Sequence, residues 1–420
     1  MIIKYLKFLT ILLFISGILS NSACLADESL LEEIVFEKSQ NQEDKLTENH
    51  YIETSYIDNK IKLYKYLEMH GIIPEINYTT DSFLKLRGKD ISQNIKSIGL
   101  LNYSVTVDTE KLGLIPGGTA YVLGQNLHAF ELSPDFVGDL QGISSIDGPV
   151  MNQLGEAWYQ QRLIDDKVSV KAGKQDANTD FDALETSVDF INSSFTTIAN
   201  IPMPTYPDQR FGGAILIEPI EQFNLKTGVY NGVAEQEDIG FRIGREGVFT
   251  IVESGIRPNI NNHYGNYIIG YWYASKNIEE IPLNNNARVF SGNYGVYAGL
   301  EQQIYKENNE DEQGLYIQGQ YGWSPSNRNE IARFYSASCA YYGLIPKRDN
   351  DVLGFGTAIA NLSSRIKNIE NKKDEIVLEG FYKVEITPWL ALEPDMQYIF
   401  NPDGNNKNAF IIGVRTLISF

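Results

Sequence analysis

Cysteine is almost missing from this chain: 420 residues contain two, Cys24 and Cys339. If residues 1–26 are removed as a leader, Cys339 stands alone and no disulfide can form within the chain. Histidine is nearly as scarce. His50, His70, His128 and His263 are scattered without metal-ligand spacing, and no G-x-S-x-G elbow occurs. Hydrolytic and zinc chemistry therefore find no clustered residues to run on, and the sequence reads as a non-enzyme with no cofactor and no metal site. Basic residues are outnumbered, with 35 Lys and Arg against 54 Asp and Glu and a net charge of -19. Nucleic acid is excluded as a partner, because nothing basic is concentrated enough to neutralise phosphates. After residue 26 no run of 18 or more apolar residues appears, which excludes a transmembrane helix.

At the N-terminus Lys4 and Lys7 precede an apolar run at 8–19, and small residues lead to Cys24-Leu25-Ala26. This pattern predicts a secretory signal peptide over 1–26, too short for a spanning helix. Asn21 occupies the place where a lipoprotein signal carries an aliphatic residue. Residues 27–59 are polar and acidic and read as a weakly structured leader. Apolar spacing at Ile61, Tyr64, Leu67 and Met69, ahead of Gly71, predicts a short helix. The expected organisation is a signal at 1–26, an acidic segment with a short helix at 27–71, and one β domain over 72–420.

From residue 72 onward the sequence is rich in what strands and turns use: 25 Tyr, 20 Phe and 35 Gly in the whole chain. Alternating segments recur to the C-terminus, about 16 of them, a number within the range of outer-membrane barrels. Residues 241–251 and 252–258 read as two separate strands. Connections alternate in character: 165–166, 219–222 and 387–390 are short, whereas 133–153, 175–209, 306–313 and 367–374 are long and polar. Short turns at one end and long loops at the other predict an all-β, single-chain transmembrane antiparallel barrel. In the last strand Phe410, Ile412, Val414, Ile418 and Phe420 share one face, and Arg415 takes the other. The terminal aromatic, Phe420, resembles the signal read by the barrel-assembly machinery of bacterial outer membranes.

Charge inside strands concentrates at 154–218. Between Val168, Val170 and Ala172, which suit lipid, stand Ser169, Lys171 and Gly173. A lysine facing lipid at mid-depth would cost about 2–4 kcal/mol, so Lys171 is expected to face the lumen. The same parity turns Glu156, Trp158, Gln160 and Arg162 inward, and Arg210, Gly212, Ala214 and Glu218 with them. Trp with Glu, Lys and Arg is the mixture that binds sugars: a ring lies on the apolar face of a pyranose, and charged groups bond its hydroxyls.

Four stretches carry a family likeness: KLGLIPGGTAYV at 111–122, WYQQRL at 158–163, KAGKQDANTDF at 171–181 and PTYPDQRFGG at 204–213. In this order they resemble the carbohydrate-selective porins of the OprB family. The resemblance implies a sixteen-strand barrel in the outer membrane, passing sugars such as glucose by diffusion through a charged constriction. Carried over by motif, Lys171, Lys174, Asp176, Asp208 and Arg210 are the expected constriction residues, joined by Trp158 and Glu156 from parity. Membrane lipid and small carbohydrates are the expected partners. A channel for organic acids is the nearest rival, and a structural or adhesive barrel the more distant one. Asp176, Asn178, Asp180 and Asp182 alternate like calcium ligands. However, Phe181 stands where an EF-hand needs Gly and Ser187 where it needs Glu, so turn formation is the expected role.

Overall fold

The computed structural model describes residues 63–89, 95–129, 132–232, 247–282, 287–308 and 312–420. The signal-peptide and acidic-leader readings fall outside these residues, apart from the helix before Gly71. Residues 63–69 are helical, and Gly71 ends the turn with φ of 78°. The chain separates into two compact units. The smaller contains that helix and the 109–116 turn, in which the Leu114 N–H donates to the Thr109 carbonyl at 2.8 Å.

The larger unit is a closed antiparallel barrel of 16 strands. In chain order these are β1 (Ile72–Arg87), β2 (Ile95–Asp108), β3 (Gly118–Ala129), β4 (Met151–Leu163), β5 (Val168–Gln175), β6 (Arg210–Ile220), β7 (Phe223–Asn231) and β8 (Val248–Ile256). They continue as β9 (His263–Ala274), β10 (Asn293–Lys306), β11 (Gly314–Trp323), β12 (Ile331–Tyr342), β13 (Val352–Leu362), β14 (Glu375–Thr387), β15 (Leu390–Phe400) and β16 (Ala409–Ser419). Each strand pairs with its sequence neighbours, and β16 pairs with β1 to close the wall. Closure leaves no ladder edge unpaired, which is the condition for crossing a bilayer with strands.

The reading of 241–258 as two strands is corrected. Residues 241–246 lie outside the described residues, and Val248–Ile256 is one strand. No turn-forming residue separates Ile251 from Val252, and alternation runs unbroken through Phe249, Ile251 and Glu253, all buried. Counting β8 as one strand also moves the connection after β10. It falls at the end that holds 164–167, 221–222 and 388–389, and not at the long-loop end.

Facing follows the period of two. Val170, Ile215, Val252, Leu300, Leu378, Ile412 and Val414 are exposed on the outer wall. Inward positions are filled differently from a simple wet pore. Phe83, Leu127, Tyr230, Phe249, Trp272, Tyr297, Phe334, Val377, Phe381 and Ile411 face inward and are buried. What covers them is chain folded into the lumen from the long-loop end. Leu132, Phe136, Val137, Ile143 and Ile146 come from the segment between β3 and β4. Phe181, Leu184, Phe190, Ile191, Phe195, Ile198 and Met203 come from the segment between β5 and β6. Phe190 stacks on Phe195 at 4.3 Å and meets Phe381 of the wall edge-on at 4.9 Å. Gly356 makes room for this pair: a Cβ there would come within 2.4 Å of the Phe195 ring.

Four inward glutamates tether the infolded chain. Glu253 accepts the Asp182 N–H at 2.8 Å, and Glu301 accepts that of Thr186 at 2.7 Å. Glu379 accepts those of Ile191 and Asn192 at 2.7 and 3.2 Å. Glu375 accepts those of Leu140 and Gln141 at 2.9 and 3.0 Å. Irregular backbone inside a barrel lacks a ladder to satisfy its N–H groups, and each one left unpaired costs about 1–3 kcal/mol. Wall carboxylates supply the missing acceptors through charge-assisted bonds.

Candidate functional site

The site is assembled from β3, β4, β5 and the start of the infolded segment 176–209. Cross-strand register sets Tyr121 opposite Trp158, Leu123 opposite Glu156, and Gln160 opposite Lys171. All of these share the inner face. The Trp158 indole N–H donates to Glu156 Oε2 at 3.0 Å, and the same oxygen accepts the Asp176 N–H at 3.2 Å. The Lys171 ammonium lies 4.5 Å from the Trp158 ring centre and donates to Asp180 Oδ2 at 2.9 Å. Tyr121 packs beside Trp158 with ring centres 5.1 Å apart. Lys171 and Glu156 are buried, but Trp158 is only half-buried.

Asp176 caps the short helix Ala177–Thr179 by accepting the Asn178 N–H at 2.9 Å, and it also accepts the Tyr206 N–H at 3.0 Å. Burial pushes its carboxyl above the usual carboxylate range, against the opposing pull of these bonds and of Lys171. Asp182 is pushed well up by burial too, although the Ile198 N–H and Gln320 bond it. The alternating oxygens of 176–182 thus serve separate neighbours. Among the described residues no group of three or more His, Cys, Asp or Glu is placed to hold a metal ion.

Lys174, Asp208 and Arg210 form a second group at the long-loop end of β5 and β6. Lys174 breaks strict alternation with Lys171. The break comes at Gly173, whose φ of 139° suits glycine, and where a Cβ would meet the Ala157 carbonyl at 2.2 Å. Beyond it both Lys174 and Gln175 are buried, and the Lys174 ammonium donates to the Leu154 carbonyl at 2.6 Å. Arg210 is buried and lies 3.6 Å from Asp208, whose side chain is 46% exposed. Burial raises the Asp208 carboxyl while Arg210 and Lys174 pull it down.

All seven residues expected from the sequence therefore lie in one quadrant of the barrel, as two groups. Asp180 and Tyr121 are missing from that set. Asp180 could have been read as a charge in a turn near Lys171 in the hairpin register, and Tyr121 as an inward aromatic opposite Trp158.

A profile of the carbohydrate-selective porin OprB family matches residues 92–420. The chain belongs to this family. It is a carbohydrate-selective outer-membrane porin, a passive channel. Porin B of Pseudomonas aeruginosa is 20% identical over 70% of this chain and 74% of the relative. Putative porin QuiX of Acinetobacter baylyi is 20% identical over 64% of this chain and 69% of its own. The high-pH structure of Pseudomonas putida OprB superposes with a TM-score of 0.78 at 19% identity, covering 85% of this chain and 96% of that one. At that identity the match speaks for the fold. In an outer-membrane porin the short turns are periplasmic, which orients this barrel with its infolded segments entering from outside.

Proposed function

We propose that sugars cross this porin through an aperture between the infolded segment 176–209 and the inner face of β3–β5. Trp158 is the platform, and Glu156, Lys171 and Asp176 are the hydroxyl partners. Lys174, Asp208 and Arg210 form an outer rung that a sugar meets first. The observation that carries this reading is the state of Trp158. Of the four tryptophans, Trp272 is fully buried, Trp389 is exposed and Trp323 lies on the outward parity of β11. Trp158 alone is inward and half-accessible, with Glu156 accepting its indole N–H and the Lys171 ammonium over its ring.

Charge balance favours a neutral solute over an organic acid. Lys171 already faces Asp180, and Arg210 faces Asp208. Paired charges present donors and acceptors side by side, which suits hydroxyls. An anion would have to displace a carboxylate to gain either cation. Binding must also stay weak enough for release. Residues 1–26 act as the export signal and 27–71 as a leader, and Phe420 is the residue read during barrel assembly.

Trp158→Ala tests the reading in liposomes. Aromatic packing contributes about 0.5–1.5 kcal/mol beyond area burial, so glucose affinity, measured as saturation of its influx, should fall about 2–10-fold. Unchanged saturation would remove Trp158 from the path.

A further inference from the structure

A cavity of about 1010 Å³ opens on the far side of the infolded segment, beneath Glu185 and Thr186 and among the periplasmic ends of β8–β13. Its volume is at the upper edge of the roughly 300–1,000 Å³ of small-molecule sites. No residue of the Trp158 group lines it. Its walls combine two features. Tyr264, Tyr316 and Tyr342 supply aromatic surface. Glu185, Glu301, Glu312 and Asp349 supply four carboxylates against one ammonium, that of Lys306, which already pairs with Glu312 at 3.0 Å. Glu301 is fully buried and its Oε2 takes the Thr186 N–H and hydroxyl.

Carboxylates on the cavity wall accept hydrogen bonds and donate none, so they suit a ligand rich in O–H or N–H groups. Four carboxylates against one paired lysine exclude an anion. Tyrosine faces suit the apolar side of a pyranose or the cation of an amine. We propose that this cavity is a second sugar subsite, at the periplasmic exit, taking neutral and amino sugars and rejecting acidic ones. It rests on the reading that sugars traverse the lumen, and it adds a second weak station in series, which favours release.

The test is single-channel recording of the mature chain in planar bilayers, with glucose, glucosamine or glucuronate added to one side at a time. From the periplasmic side, block should be strongest with glucosamine, weaker with glucose and absent with glucuronate. Tyr264→Ala should weaken glucose block from that side about 3–10-fold and leave block from the outer side unchanged. Glu185→Gln with Asp349→Asn, both outside the tethers of the infolded segment, should abolish the preference for glucosamine. Trp158→Ala should weaken block from the outer side only. Glucuronate blocking as well as glucose, or periplasmic block indifferent to Tyr264→Ala, would overturn the subsite while leaving the Trp158 aperture standing. Outer-side block indifferent to Trp158→Ala would overturn the aperture and not the subsite.

Discussion

Glu253→Leu should open the channel. Glu253 is fully buried, and each of its oxygens is in use. Oε2 accepts the Asp182 N–H and the Tyr297 hydroxyl, both at 2.8 Å. Oε1 faces the Lys226 ammonium at 3.0 Å, and that ammonium also donates to the Asp180 carbonyl at 2.7 Å. Leucine fills much of the space but accepts nothing. Removing one member of a buried ion pair costs about 3–5 kcal/mol, chiefly because the other charge is stranded. The orphaned Asp182 N–H adds about 1–3 kcal/mol. The damage falls on residues 180–182, where Asp180 holds Lys171, so the strain reaches the aperture directly. The expected result is a larger conductance with weaker glucose block, in a barrel whose wall still forms. Wild-type conductance would mean that the Glu253 tether does not hold the segment in place.

Arg415→Met should weaken the barrel itself. Closure pairs Asp81 of β1 with Arg415 of β16. The guanidinium donates to both Asp81 oxygens at 2.8 Å, and to the Ser145 hydroxyl at 3.1 Å. The Ser144 hydroxyl donates to Asp81 Oδ2 at 2.6 Å. Both charged partners are buried, so the pair couples the closing seam to the infolded segment between β3 and β4. Methionine matches the stem of arginine but leaves the Asp81 carboxylate with Ser144 alone, a loss of about 3–5 kcal/mol. Heat-induced unfolding in detergent, followed by gel mobility, should begin at a markedly lower temperature. Adding Asp81→Leu should recover part of the loss, since an apolar pair strands no charge. Recovery should be incomplete because Glu393 of β15, opposite Arg415, also loses its cation. No change in the unfolding temperature would show that the seam does not depend on this pair.

Much of the wall is legible in the sequence because the period of two is local. Val170 beside Lys171, or Val414 beside Arg415, assigns lipid and lumen faces without reference to any partner strand. The same rule is blind wherever the backbone departs from a strand. Gly173 re-aims Lys174, and nothing in the alternation around it marks that residue as buried. Residues 241–258 look like two strands because a polar run and a turn-rich context precede Val248, and the error carries the 306–313 connection to the wrong end. The filling of the lumen is hidden for a different reason. Phe190 and Phe195 read as apolar residues in a long loop, and only their contact with Phe381 and Gly356 makes them core. Glu253, Glu301, Glu375 and Glu379 show one signal, a carboxylate at inward parity within an apolar strand. That parity fits a wet pore equally well. Their use as acceptors for loop N–H groups follows only once the segment lies against them.

The proposed route takes a neutral sugar through a lumen narrowed by the infolded segment, where it dwells weakly. Single-channel conductance of the wild-type chain, measured in a planar bilayer while glucose is titrated, tests it most directly. Open channels are expected, with an ion current that falls in a saturable way with glucose and is not blocked by small organic acids. Channels blocked by the acids and indifferent to glucose, or no ion conductance at all, would contradict it.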